Sequence, residues 1–111
     1  MIWLMQNPVL DKTIEFADNR ISLFAAQYGR CAVTGIDLMP HDIRCHHKVP
    51  LENGGTDEYG NLVLVTEAVH ILIHATLGET IQKYLNELQL NKKQLEKLNR
   101  LRKLAGTSVI A

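Results

Sequence analysis

Cysteine is scarce in this chain of 111 residues, which contains only Cys31 and Cys45. Small secreted domains that depend on disulfides carry several cysteine pairs, so the sequence does not predict a disulfide scaffold. A single Cys31–Cys45 bridge stays open as an alternative at this stage.

A hydrophobic run long enough to cross a bilayer is also absent. A transmembrane helix needs about 20 consecutive apolar residues, whereas the amino-terminal MIWLMQNPVL is interrupted at Asn7 and Pro8. The same stretch lacks the basic residues that begin a secretory signal. We therefore expect a cytoplasmic protein with no membrane segment.

Net charge is the third missing feature, because 12 Lys and Arg balance 12 Asp and Glu. Composition thus argues against a protein that binds nucleic acid through a strong overall positive field. The charges are unevenly distributed, however. Residues 31–78 carry 2 basic and 6 acidic side chains, whereas residues 79–111 carry 7 basic and 3 acidic ones. The basic carboxy-terminal part either holds a phosphate backbone or is a solvated helix face.

Histidine, in contrast, is concentrated in one stretch. The segment 44–74, RCHHKVPLENGGTDEYGNLVLVTEAVHILIH, holds four of the five histidines, with Asn61 between the two pairs. A lone histidine is usually an ordinary core or surface residue, but four at regular spacings favour a site. His41 lies outside this pattern, and we expect it at the surface.

The spacing of the four histidines predicts how they are placed. His70 and His74 are four residues apart, so on a helix they lie one turn apart on the same face and can bind one ion. His46 and His47 are adjacent in a β-branched run that predicts a strand, and their side chains therefore point to opposite faces. One of this pair can bind metal beside the helical pair while the other faces a substrate.

The rest of the pattern predicts a single α+β domain over residues 1–111, mostly helical, with a small antiparallel hairpin. Asn91 and Gln94 predict a capping pair for the last helix, and Thr66 an N-cap for the helix that carries His70. The expected elements are an amphipathic helix over about 10–28, a short strand and turn over 30–35, strands over 43–49 and 61–65, a long loop over 50–60, a helix over 66–76 and further helices over about 79–104.

HHKVP, GGTDEYGNL and VHxxxH together resemble the HNH nuclease motif, also called the ββα-metal finger. The flanking NRISLFAAQYGRCAVTG and HATLGETIQKYLNELQLNKKQLEKLNRLRKLAG are similar to the carboxy-terminal HNH domain of group II intron reverse transcriptase/maturases. The resemblance covers about residues 10–110 and implies a ββα-metal core over 44–76. The chain is too short to include a polymerase, so we expect the nuclease module alone.

The resemblance also implies a role for each motif residue. His47 falls at the position of the general base, and His46, His70 and His74 fall at metal positions. Asn61 is the middle residue of the motif, where its side chain can bridge the long loop to the first strand and so aim His47 at water. The expected activity is metal-dependent nicking or cleavage of DNA by water attack, which leaves 5′-phosphate and 3′-hydroxyl ends.

Three imidazole ligands favour one divalent transition ion such as Zn²⁺, Ni²⁺ or Mn²⁺, while Mg²⁺ can still support turnover. Many relatives have a carboxylate where His46 stands, which changes the metal preference. Basic side chains near the motif and in the last helix are predicted to contact DNA: Arg44, Lys48, Lys92, Lys93 and Arg100.

The chain departs from the family most clearly at its thiols. Many HNH domains hold a structural zinc with two CxxC pairs, of which only Cys31 remains here; Thr34, Thr66 and Val69 stand at the other positions. We therefore predict no structural zinc. The lost thiols leave an alternative function open, a catalytically inactive nucleic-acid or metal-binding module on the same scaffold. A structural histidine metal site in an interaction protein is disfavoured, because it gives His47 no task.

Overall fold

The computed structural model describes residues 14–110. Within this range the chain forms four α-helices and a two-stranded antiparallel sheet, which confirms the expected α+β class. No helix in the described part is long and apolar enough to cross a membrane. The elements are α1 (Ile14–Ala26), β1 (Ile43–His47), β2 (Leu62–Thr66), α2 (Glu67–His74), α3 (Gly78–Leu88) and α4 (Lys92–Leu104). The predicted helical residues 10–13 lie outside the described residues.

The hairpin places the two adjacent histidines on opposite faces, as predicted. His46 pairs with Val63 and His47 pairs with Leu62 in the antiparallel register. The ring of Phe16, from α1, stacks on the face that carries His47, and α2 lies against the face that carries His46. Every residue of β2 is consequently buried.

The outer edge of β2 is covered by α1 and the turn that follows it. The Gln27 amide Nε2 donates to the Leu64 carbonyl (2.9 Å), and its Oε1 accepts from the Leu64 N–H (3.0 Å). The Ala32 N–H donates to the same carbonyl at 3.1 Å. These bonds satisfy backbone groups that would otherwise be left unpaired at a buried edge.

The first helix ends before the predicted boundary at residue 28. Phe16 and Leu23 are buried, but Tyr28 is 85 % exposed. The helix ends at Ala26, and both Tyr28 and Gly29 have positive φ (55° and 67°), so the chain has already turned away from the helical path. The Gly29 N–H donates to the Phe24 carbonyl at 2.8 Å, which closes the end of the helix.

The strand predicted over 30–35 does not form. An isolated bridge joins Arg30 to Asp37, and the Cys31 N–H donates to the Ile36 carbonyl at 2.8 Å. The chain therefore reverses before a strand can extend. Cys31 is buried in this turn, and no disulfide joins it to Cys45.

Two side chains cap the start of α2, the helix that carries the second histidine pair. Thr66 Oγ1 accepts from the Val69 N–H at 3.4 Å, which confirms the predicted N-cap. Asp42 Oδ1 accepts from the Glu67 N–H at 2.9 Å, a contact that sequence analysis did not predict. One face of the helix buries Val69, Leu72 and Ile73. Burial of each side chain stabilises the fold by roughly 1.5–3 kcal/mol relative to leaving it exposed.

The other end of α2 is held by α4. Asn91 and Gln94 form the predicted capping box at the start of α4, whose Leu98 lies in the core. The buried Arg102 guanidinium donates to the carbonyls of Leu72 and Ala75, at the carboxy-terminal end of α2. Carbonyl groups in the last turn of a helix have no partner within that helix, so Arg102 fixes the turn that presents His74.

Candidate functional site

Three histidines from two elements meet at one point. His46 comes from β1, and His70 and His74 come from successive turns of α2. Their ring centroids are 5.0–5.3 Å apart, and each offers a ring nitrogen within 4.8 Å of the others. The three predicted ligands therefore lie close enough together to bind a metal ion.

The chemistry of this cluster fits a bound cation. His46 is 2 % exposed, and its Nε2 is buried with no hydrogen-bond partner among the described residues. Leaving such a nitrogen unpaired costs roughly 1–3 kcal/mol, which a metal bond would remove. Burial, with the neighbouring His70, His74 and His47, lowers the pKa of His46 to about 3. The imidazole is thus neutral, the form that binds metal.

The pKa of His70 is shifted in the same direction. Burial is the main cause, and the neighbouring His74 and the positive charge of Arg44 add to it. His74, at the end of α2, is exposed. The cluster is therefore buried at His46 and open to solvent at His74.

His47 lies on the other face of β1 but borders the same cleft. A cavity of about 490 Å³ is lined by all four histidines, together with Phe16, Cys45 and residues 50–52. The His47 ring stacks on Phe16, with centroids 5.6 Å apart and planes 19° apart. Its Nε2 lies 2.8 Å from Asp57 Oδ1. The structure thus brings the predicted base and the predicted ligands to one opening.

Asp57 is the site residue that sequence analysis did not single out. It lies in the loop between the two histidine pairs, ten residues after His47. The signal was an acidic residue two positions after the Gly-Gly turn. Sequence spacing does not show which way a loop folds back, however, so nothing in it placed this carboxylate on His47.

Asn61 bridges the loop to the end of the first strand, as predicted. Its Oδ1 accepts from the Val49 N–H (2.9 Å), and its Nδ2 donates to the carbonyls of Val49 (3.0 Å) and Thr56 (2.8 Å). The amide therefore binds the backbone just before the loop, at Val49, and within the loop, at Thr56. Its link to His47 runs through that backbone and through Asp57, which follows Thr56.

The loop approaches the end of β1 most closely at Gly55, where any other residue would require a shift of the backbone. A Cβ on Gly55 would lie 1.8 Å from the Val49 carbonyl oxygen. The Gly55 N–H instead donates to the Pro50 carbonyl at 2.9 Å. The second residue of the Gly-Gly turn thus permits the close backbone approach that brings Asp57 to the site.

The residues predicted to contact DNA fall into separate groups. Lys48 and Arg100 line one cavity of about 290 Å³, together with five apolar residues and Lys97, which sequence analysis did not single out. Arg44 forms an ion pair with Glu67 at 3.5 Å. Lys92 and Lys93 are exposed in the first turn of α4. We call the cavity between Lys48, Lys97 and Arg100 the basic groove.

Comparisons with known proteins give no further guide. No family model, no curated protein and no solved structure matches the chain. The resemblance of the histidine motif to HNH nucleases therefore remains a hypothesis, and function has to be inferred from the residues of the site and their geometry.

Proposed function

We propose that this protein is a metal-dependent HNH-type DNA endonuclease with a ββα-metal core, resembling the nuclease module of group II intron-encoded proteins. One observation carries the proposal. Three histidines that can bind a metal ion line a single cleft with a fourth, His47, which lies on the opposite face of the strand that carries His46. Hydrolysis of a phosphodiester needs both a cation and a base at one opening.

His46, His70 and His74 would hold the ion. Neutral imidazoles suit a transition ion such as Zn²⁺, Ni²⁺ or Mn²⁺ better than Mg²⁺, which prefers oxygen ligands. When bound, such an ion stabilises negative charge on the phosphate and on the leaving oxygen. Structural zinc sites normally have four protein ligands, whereas catalytic sites have three and keep a position open. Three ligands in the described part of the chain thus favour a catalytic centre.

His47 would act as the general base. It accepts a proton from water while the water oxygen forms a bond to phosphorus and the bond from phosphorus to the 3′ oxygen breaks. The leaving oxygen takes a proton from solvent, which gives 5′-phosphate and 3′-hydroxyl ends. Stacking on Phe16 limits the tilt of the imidazole ring and holds its orientation in the cleft.

The basic groove would bind the phosphate backbone beside the cleft. Lys48 directly follows His47 in the chain, and Lys97 and Arg100 belong to α4. Cations from distant parts of the sequence therefore meet at the end of the strand that carries the base. This arrangement favours a phosphate-binding surface over the alternative of a merely solvated helix face.

Nicking of supercoiled plasmid tests the proposal. We expect wild-type protein with Zn²⁺, Ni²⁺, Mn²⁺ or Mg²⁺ to convert supercoiled DNA to nicked or linear forms, and chelator to stop the conversion. His47→Ala should be inactive, whereas His41→Ala, which changes an exposed histidine outside the cluster, should be active. A wild type that binds metal and DNA but nicks with none of these ions would replace this proposal by the inactive binding module.

A further inference from the structure

We propose that Asp57 is a positioning residue that holds His47 as the tautomer protonated at Nε2, so that Nδ1 is the nitrogen that takes the proton from water. The first part concerns the imidazole alone and needs no activity. The second part rests on the proposed nuclease function.

The contact between the two side chains determines the tautomer. Asp57 Oδ1 lies 2.8 Å from His47 Nε2, and the two side chains are only 19 % and 17 % exposed. An ionised carboxylate only accepts hydrogen bonds, so the proton of the contact belongs to Nε2. Neutral imidazole has a single N–H, and Nδ1 therefore keeps its lone pair.

The ring cannot easily exchange its two nitrogens. Phe16 stacks on the imidazole with planes 19° apart, which fixes the tilt of the ring. The bond to Asp57 fixes rotation within that plane. A flip of the ring would break a charge-assisted hydrogen bond, which is about twice as strong as one between neutral groups.

The backbone around Asp57 is itself held by two side chains. Asn61 Nδ2 donates to the carbonyl of Thr56, the residue before Asp57, at 2.8 Å. From α1, Asn19 Nδ2 donates to the Asp57 carbonyl at 2.9 Å. The backbone that carries the carboxylate is thus tied both to the end of the hairpin and to the first helix.

This contact gives the middle residue of the motif a physical task. Asn61 holds the loop, the loop holds Asp57, and Asp57 holds His47. When Nδ1 accepts the proton of the attacking water, the resulting imidazolium lies directly against a carboxylate. The transferred charge is therefore never left unpaired in a partly buried site.

Nuclear magnetic resonance tests the tautomer without any activity. Two-bond and three-bond ¹⁵N–¹H correlations of metal-free protein, at a pH where the imidazole is neutral, should show His47 protonated at Nε2. In Asp57→Ala we expect a mixture of the two tautomers. Glu58→Gln is the matched control, because it removes the exposed carboxylate of the next residue and should leave the pattern of His47 unchanged.

Single-turnover cleavage at saturating metal tests the second part. We expect Asp57→Ala to lower the rate about 10- to 100-fold, as loss of an orienting partner typically does. Its Zn²⁺ affinity should stay within about twofold, because the residue is not a ligand. Asp57→Glu keeps an acceptor and should restore part of the rate. Asp57→Asn keeps the shape of the side chain and replaces Asp57→Ala in the test if that variant does not fold. Its amide can donate a hydrogen bond to the ring, which favours the tautomer that is not protonated at Nε2.

An unchanged His47 tautomer in Asp57→Ala, or cleavage within about twofold of wild type, would overturn the positioning role. A wild type that never cleaves, combined with a tautomer that shifts in Asp57→Ala, would instead overturn the nuclease function and leave the first part standing. The two failures are therefore distinguishable.

Discussion

Asn61 binds Val49 through both backbone polar groups of that residue. The Val49 N–H donates to Asn61 Oδ1 at 2.9 Å, and the Val49 carbonyl accepts from Asn61 Nδ2 at 3.0 Å. Val49 lies two residues after His47, and the backbone of the intervening Lys48 also donates to the Asn61 carbonyl at 2.7 Å. The end of the first strand is thus fixed relative to the start of the second, although about a dozen loop residues separate them in the chain.

We expect Asn61→Ala to lower the cleavage rate about 10- to 100-fold while Zn²⁺ affinity changes by less than a few-fold, because the residue orients the loop and binds no metal. Three hydrogen bonds are lost, so the free energy of unfolding should fall by about 1–3 kcal/mol. Urea unfolding, calorimetry and a plasmid assay measure the three quantities. Asn53→Ala, which changes an exposed asparagine of the same loop, is the control. If Asn61→Ala changed neither the cleavage rate, nor the Zn²⁺ affinity, nor the free energy of unfolding, Asn61 would be an ordinary loop residue with no role in the motif.

His47→Ala should keep the fold and the metal site but lose nearly all cleavage. Loss of a general base costs on the order of a hundredfold to ten-thousandfold in rate. The substitution leaves His46, His70 and His74 in place, so Zn²⁺ affinity should stay within a few-fold of wild type. Rates under saturating metal and DNA provide the measurement. Activity close to that of wild type would show that another group activates the water.

Local rules predicted most of what lies within one element. Thr66 and the Asn91–Gln94 pair could be assigned as caps because a cap depends on residues three positions apart. The cluster of His70 and His74 followed from the helical period, and the opposite faces of His46 and His47 from the period of a strand. Each of these depends on a few neighbouring residues.

The contacts that sequence analysis did not predict depend on how distant segments meet. Asp57 reaches His47 only because the loop folds back. Asp42 caps α2 although it lies 25 positions before Glu67, from whose N–H it accepts a hydrogen bond. Arg102 looked like part of a basic tail, yet it is buried against the end of α2. Lys97 joins Lys48 through packing of α4 on the hairpin. Periodicity describes one element at a time, so it carries no information about these encounters.

The metal-free protein should lose stability as the pH falls below about 6.5. The pKa of His46 is lowered from 6.5 to about 3 in the folded state. Between these values the unfolded chain binds a proton that the folded chain does not, so acid favours unfolding. At pH 5 this one group contributes a loss of about 2 kcal/mol relative to neutral pH. The lowered pKa of His70 adds to the loss.

Urea unfolding in chelator at pH 7 and pH 5 measures this loss. In His46→Leu the difference between the two pH values should shrink by about 2 kcal/mol. His41→Ala should behave like wild type. The same pH difference in wild type and His46→Leu would show that the His46 imidazole takes up its proton without unfolding the chain.

Binding of duplex DNA should depend on the basic groove. We expect Lys97→Gln and Arg100→Gln each to weaken binding and to reduce the slope of log affinity against log salt by about 1, since each removes roughly one phosphate contact. Fluorescence anisotropy in a His47→Ala background avoids cleavage of the probe. Lys83→Gln, on the exposed surface of α3, should leave the slope unchanged. A double Lys97/Arg100 variant with the wild-type slope would place the DNA elsewhere.

The metal site should prefer Zn²⁺ to Mg²⁺ by a wide margin. His46, His70 and His74 offer three neutral nitrogens and no carboxylate, and Mg²⁺ gives up its water ligands reluctantly for such donors. The prediction concerns affinity, because Mg²⁺ at millimolar concentration can still support turnover through phosphate oxygens. Calorimetric titration of metal-free protein with each ion measures the two affinities.

Removing one ligand distinguishes Zn²⁺ bound at the histidine cluster from Zn²⁺ bound adventitiously elsewhere on the protein. His70→Ala and His74→Ala should each weaken Zn²⁺ binding by more than the roughly 10- to 100-fold that loss of an outer contact costs, because each removes one of three direct bonds. His41→Ala should bind as wild type does, since that histidine lies outside the cluster. Equal Zn²⁺ affinity in all three variants, or tighter binding of Mg²⁺, would mean that the ion is not held by the helical pair. The buried His46 Nε2, which has no hydrogen-bond partner in the described part of the chain, would then need another explanation.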